Sequence, residues 1–166
     1  MSEEQNSGQI SKRKGDRNTM EITRQADYAV RAMIHVAALP PDTRVSTAAI
    51  SEAQSIPLPF LTKVIAHLVR AGLVTTNRGM GGGVSIARAP EDITLLDVLE
   101  AVEGPITLNR CLLRGVTCEL EEHCAVHDVW HEIQEHLVRD LKAVRLDTLV
   151  RMQEAKRRTG SVVLDD

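Results

Sequence analysis

A chain of 166 residues with 43% hydrophobic and 26% charged residues can bury one real core and carry an appendage. Aromatics make up only 2%, so that core must be built from Leu, Val, Ile and Ala, which suits packed helices; no apolar run reaches the ~20 residues of a membrane span, and no secretory signal opens the chain. The net charge of −3 argues against a polyanion ligand until its distribution is considered. No Asp or Glu occurs between Ala53 and Pro90, where Lys63, Arg70, Arg78 and Arg88 lie, whereas acids crowd the stretch from Glu119 to Asp147.

In chain order, residues 1–19 are polar and are expected to be a disordered extension. ITRQADYAVRAMIHVAAL predicts a helix with Ala26, Val30, Met33, Ile34 and Ala37 on one face, stopped by Pro40-Pro41. Ser46 can cap a second, short helix. A third, FLTKVIAHLVRAG, begins after Pro57 and Pro59 and ends at Gly72, with Leu61, Val64 or Ile65, and Leu68 inward. Leu73–Thr75 and Val84–Ala87 then read as strands joined by RGMGGG. This turn is not a nucleotide loop, because Val84 replaces the last glycine of GxGxxG and no GK[ST] follows.

Two short helices followed by a hairpin predict a winged helix-turn-helix over residues 20–90, a mainly α fold with a small β wing. Its partner would be double-stranded DNA. Leu58, Pro59, Thr62 and Lys63 are expected near base edges; Arg31, Arg70, Arg78 and Arg88 are expected to position the backbone. Gly81 and Gly82 let the wing lie close to phosphates. Beyond the wing, residues 91–155 predict a helix capped near Thr94, a cysteine loop, a long helix from about Ala125 to Arg145, and a last helix from Leu146 to Ala155. Residues 156–166 are expected to form a flexible tail. The long helix carries Val126, Trp130, Ile133, Leu137, Leu141 and Val144 as an apolar seam, which favours a homodimer on a palindromic site.

All three cysteines, Cys111, Cys118 and Cys124, fall in CLLRGVTCELEEHCAVH, and His127 ends that stretch. An odd number of thiols in a chain expected in the reducing cytoplasm points to metal binding or redox chemistry rather than disulfides. Thiolates suit iron–sulfur clusters, zinc or cuprous copper. The gaps exceed those of structural zinc sites and fit the larger volume of a cluster, with zinc as the alternative. Two rival functions stay open: a thiol-redox enzyme, although no C-x-x-C motif is present, and a zinc-stabilised interaction module.

MEITRQADYAVRAMIHVAALP, IPLPFLTKVIAHLVRAGLV, RGMGGGVSIAR and the three-cysteine loop before a long helix together resemble the Rrf-two family of bacterial regulators, including the IscR and NsrR types. The resemblance covers residues 20 to 150. It implies a repressor dimer in which the long helices pair and an iron–sulfur cluster answers to nitric oxide, redox state or cluster supply. His127 matches the pattern in which three cysteines and a histidine hold a two-iron cluster. Asp27 matches the position from which a partner carboxylate completes a four-iron cluster. Relatives usually begin at the residue matching Met20, so residues 1–19 are read as an extension or as the result of a start codon assigned too early.

Overall fold

A computed structural model describes residues 21–77, 79, 81–113, 115, 116, 118, 120 and 123–161. Residues 1–19 and 162–166 lie outside the described residues. Thr23 starts the first helix by accepting the Ala26 amide on its hydroxyl, and α1 runs Arg24–Ala37. Ser46 caps α2 (Thr47–Gln54), and Ser55 closes it in the left-handed region at φ 49°. Pro57 and Pro59 flank the start of α3 (Leu58–Arg70), where their missing amides cost no helical bond. Leu61, Val64, Ile65 and Leu68 are all buried, so the inward stripe uses both Val64 and Ile65.

The hairpin pairs β1 (Val74–Asn77) with β2 (Gly83–Ile86) in the register Val74 with Ile86 and Asn77 with Gly83. A third strand position, absent from the sequence reading, is Val45, which exchanges backbone hydrogen bonds of 3.0 and 2.8 Å with Val84. The wing is thereby tied to the segment between α1 and α2. At the tip, Gly79 and Gly81 adopt φ of 99° and 75°, conformations that side chains disfavour.

Thr94 and Asp97 form a reciprocal capping box at the start of α4 (Leu95–Glu103), with bonds of 3.0 and 2.8 Å. A long helix α5 (His127–Ala143) and a terminal helix α6 (Leu146–Ser161) complete the chain. The α5–α6 junction is stitched to the start of α4: Leu95 N–H donates to Val144 O at 2.8 Å and Leu146 N–H to Ile93 O at 2.9 Å. One continuous core joins α1, α2, α3 and the hairpin to Ile93, Val98, Leu99, Val102 and Leu146. Each fully buried Leu, Ile or Val in it contributes about 1.5–3 kcal/mol.

Several boundaries differ from the sequence reading: the strands were expected at Leu73–Thr75 and Val84–Ala87, the long helix was expected to reach Arg145, and two further helix ends shift. α5 starts at His127 rather than Ala125. α6 continues to Ser161, past the expected end at Ala155, so residues 156–161 are helical rather than part of a loose tail. Lys156, Arg157 and Arg158 offer no apolar stripe, yet cations suit the last turns of a helix through its dipole.

His35 joins three helices. Gln54 Nε2 lies 3.1 Å from its Nδ1, and Arg157 of α6 is close enough to act on it. Burial first, and then the Arg157 charge, lower its pKa below the usual 6.5. The folded chain therefore takes up this proton less readily than the unfolded chain. Stability is intact at alkaline pH and declines as pH falls through the unfolded value toward the lowered folded one. A His35→Gln variant is expected to lose less melting temperature than the wild type between about pH 8 and about pH 5, as read by calorimetry.

Candidate nucleic-acid interface and metal centre

α3 presents its outer face to solvent without an acid on it. Leu58 is 45% and Phe60 59% exposed, and Pro59, Thr62, Lys63 and Arg70 are exposed as well. Thr62 Oγ1 donates to Leu58 O at 2.9 Å. Arg70 ends the helix, where its charge complements the last carbonyls. On the wing, Gly81 is exposed and Gly82 half-buried, and Gly82 N–H closes the turn onto Gly79 O at 2.9 Å. Arg78 lies outside the described residues.

Two expected backbone-positioning arginines are engaged within the chain. Arg31 donates to the Gln54 carbonyl, pairs with Asp27 at 3.3 Å and lies over the Tyr28 ring at 5.9 Å. It thus locks α1 to the end of α2. Arg88 pairs with Asp97 at 3.7 Å. Phe60, exposed on α3 as well, was not among the residues that the sequence placed near DNA. It sits one residue out of phase with the buried Leu61, Val64 and Leu68.

The cysteine loop spans from α4 to α5. Cys111 lies in a 3-10 turn over Arg110–Leu112, Cys118 lies in the loop, and Cys124 precedes α5. All three are free thiols of intermediate exposure. The loop is held to α5 by Leu108 N–H, which donates to Gln134 Oε1 at 2.9 Å, and by His127 N–H, which donates to Cys124 O at 3.1 Å. The His127 side chain is only 12% exposed, with Nδ1 3.5 Å from Asp128 Oδ1.

Among the described residues, no three His, Cys, Asp or Glu side chains are close enough together to hold a metal ion. The donor chemistry nonetheless suits iron–sulfur iron: half-buried thiols confined to one loop, with a sheltered imidazole three residues after the last of them. Asp27 sits apart on α1, exposed and paired with Arg31. It lines an apolar groove of about 510 Å³ with Ile22, Val30, Leu95, Leu99 and Leu141.

No helix among the described residues is long and apolar enough to cross a membrane. Residues 22–152 match the Rrf2 family, described as an iron-dependent transcriptional regulator. The HTH-type transcriptional regulator IscR of Photorhabdus laumondii is 33% identical over 135 residues, 81% of this chain and 82% of that one. IscR of Klebsiella pneumoniae strain 342 is 34% identical over the same shares. Among solved structures, T. potens IscR superposes with a TM-score of 0.67 at 26% identity, over 82% of this chain and 90% of that one. CymR, the global cysteine regulator of B. subtilis, shares the fold, with a TM-score of 0.66 at 24% identity over 81% and 98% of the two chains. The winged helix expected from the sequence is thus the observed fold, and the thiol-redox enzyme is set aside: the chain belongs to the Rrf2 family of DNA-binding transcriptional regulators, which are not enzymes.

Proposed function

We propose that this regulator works in the cytoplasm as a homodimeric repressor on palindromic operator DNA, and that an iron–sulfur cluster at the cysteine loop switches its binding. The observation that carries this reading is the confinement of all three thiols to one loop that leads directly into α5, with His127 sheltered at the first turn. Cys111, Cys118 and Cys124 would hold the cluster. The fourth ligand would be His127 in a two-iron form or Asp27 of the partner subunit in a four-iron form. When bound, the cluster supplies a cross-link that redox change, nitric oxide or iron shortage can remove.

The chain's own residues carry that state to the DNA-reading surface. Cys111 and Cys124 bracket the loop, so gathering the thiols fixes the N-terminal end of α5 against the 3-10 turn. The other end of α5 is tied to the start of α4 through Val144 and Leu146. α4 in turn packs on α1 and α3, and Gln25 Nε2 donates to Val102 O at 3.1 Å. Freeing the loop loosens one end of this chain of contacts and shifts the spacing of the two reading helices in the dimer.

The Cys124→Ala variant tests this. It is expected to lose visible absorbance and to change operator affinity at least about tenfold, within the usual range of allosteric coupling. Unchanged colour and affinity would remove the cysteine loop from the mechanism. Colourless wild-type protein with one zinc per chain would instead favour a zinc-stabilised module.

A further inference from the structure

We infer that α3 reads its DNA largely through thymine methyl groups, with Phe60 as the specificity-determining side chain. The inference rests on the proposed DNA-reading role of α3 and adds the chemistry of what is read.

The tip of the helix is short of hydrogen-bond donors. Pro57 and Pro59 have no amide proton, and the N–H groups of Phe60 and Leu61 are both spent on Pro57 O, at 3.0 and 3.1 Å, so that of these first residues only Leu58 keeps an amide to offer. The Thr62 hydroxyl proton is committed to Leu58 O, which leaves its methyl group for outside contact. What the tip does present is apolar: Leu58 at 45% exposure, the Pro59 ring, and Phe60 at 59%.

Phe60 is the chain's one phenylalanine, and it is left in water while Leu61 beside it is fully buried. One residue along a helix is about 100° of rotation, so Phe60 stands well off the core stripe. Its surroundings match a polyanion, since Lys63 lies one turn along the same helix, Arg70 ends that helix, and residues 53–90 contain no acid. In the major groove, an aromatic or methyl side chain finds its complement in the 5-methyl group of thymine. Lys63 is then left as the donor for guanine or phosphate.

The test uses the full chain purified without oxygen. A duplex pool with a random core is enriched for bound sequences, and each thymine of the selected half-site is then replaced by deoxyuridine, which deletes only the methyl group. At one or two positions per half-site, the replacement is expected to weaken binding about fourfold, the worth of one buried methyl. Phe60→Ala should bind thymine and uracil duplexes alike at such a position, while Phe60→Leu keeps part of the difference. Because Phe60 lies outside the core, both variants should melt near the wild type. A selected sequence insensitive to uracil throughout, or discrimination that survives Phe60→Ala, would overturn the inference and leave DNA binding standing. A pool with no enrichment would overturn both.

Discussion

Glutamate at both Trp130 and Ile133 is expected to yield a folded monomer that binds operator DNA at least about 100-fold more weakly, the lower end of what linking two binding modules adds. None of the 17 residues of α5 is buried within its own chain. Val126, Val129, Trp130 and Ile133 are 46%, 50%, 36% and 45% exposed, on the half of the helix next to the cysteine loop. Further along, Leu137 and Leu141 are half-buried and line a groove with Ile22 and Leu99, and Leu141 packs against the core. One half of the stripe thus packs on its own body while the other half lacks a cover, the pattern expected of a helix completed by a second copy. Sedimentation should show the monomer, far-UV circular dichroism should show retained helix, and a binding titration should show the weakened complex. A double variant that stays dimeric, or one that binds as well as the wild type, would contradict pairing through this face.

Gly83→Ala is expected to cost about 2 kcal/mol of stability, the scale of overpacking a filled site, and about 4–8 °C in melting temperature for a chain of this size. A Cβ at Gly83 would lie 2.8 Å from Val45 O, 3.0 Å from its carbonyl carbon and 3.2 Å from its amide nitrogen. These are backbone atoms, so no side chain can rotate away. Relief requires β2 to move off Val45, which breaks the paired bonds between Val45 and Val84 and swings the wing. DNA affinity should fall along with stability. Gly81→Ala separates steric crowding from conformational strain, because φ is 75° there but nothing lies within 4 Å of the added atom. An unchanged melting point for Gly83→Ala would mean that the wing is not clamped to Val45.

Local signals announced most of the helices. Pro40-Pro41, Ser46, the Pro57 and Pro59 pair, Gly72 and Thr94 act within a turn of themselves, so their effects could be read directly from neighbouring residues. The winged helix-turn-helix followed from the order of those parts, and the resemblance to the Rrf2 family from the stretches that carry it. Contacts between distant segments were not legible. The pairing of Val45 with Val84 depends on where β2 lands, and nothing near Val45 announces a strand. The contact of Arg31 with the Gln54 carbonyl at the end of α2 is likewise invisible in the sequence, since it joins two helices. The cysteines were visible as a set, since their confinement is a property of the chain itself. Their arrangement around a metal is not, because it requires the loop to close on a group that the amino acids alone do not supply. Leu58 and Pro59 were legible as exposed apolar positions at the start of α3, whereas the exposure of Phe60 between Pro59 and the buried Leu61 shows only once the helix is packed on the core.

The most direct test of the central claim is a visible absorption spectrum of the chain purified without oxygen, with iron and acid-labile sulfide counted on the same sample. The account predicts a coloured protein. Structured bands at roughly 420 and 460 nm with about two irons per chain correspond to ligation by His127, and one broad band near about 400 nm with about four irons corresponds to ligation by Asp27. A colourless protein without sulfide, or one carrying stoichiometric zinc, would contradict the proposed switch and leave a winged-helix regulator controlled by some other signal.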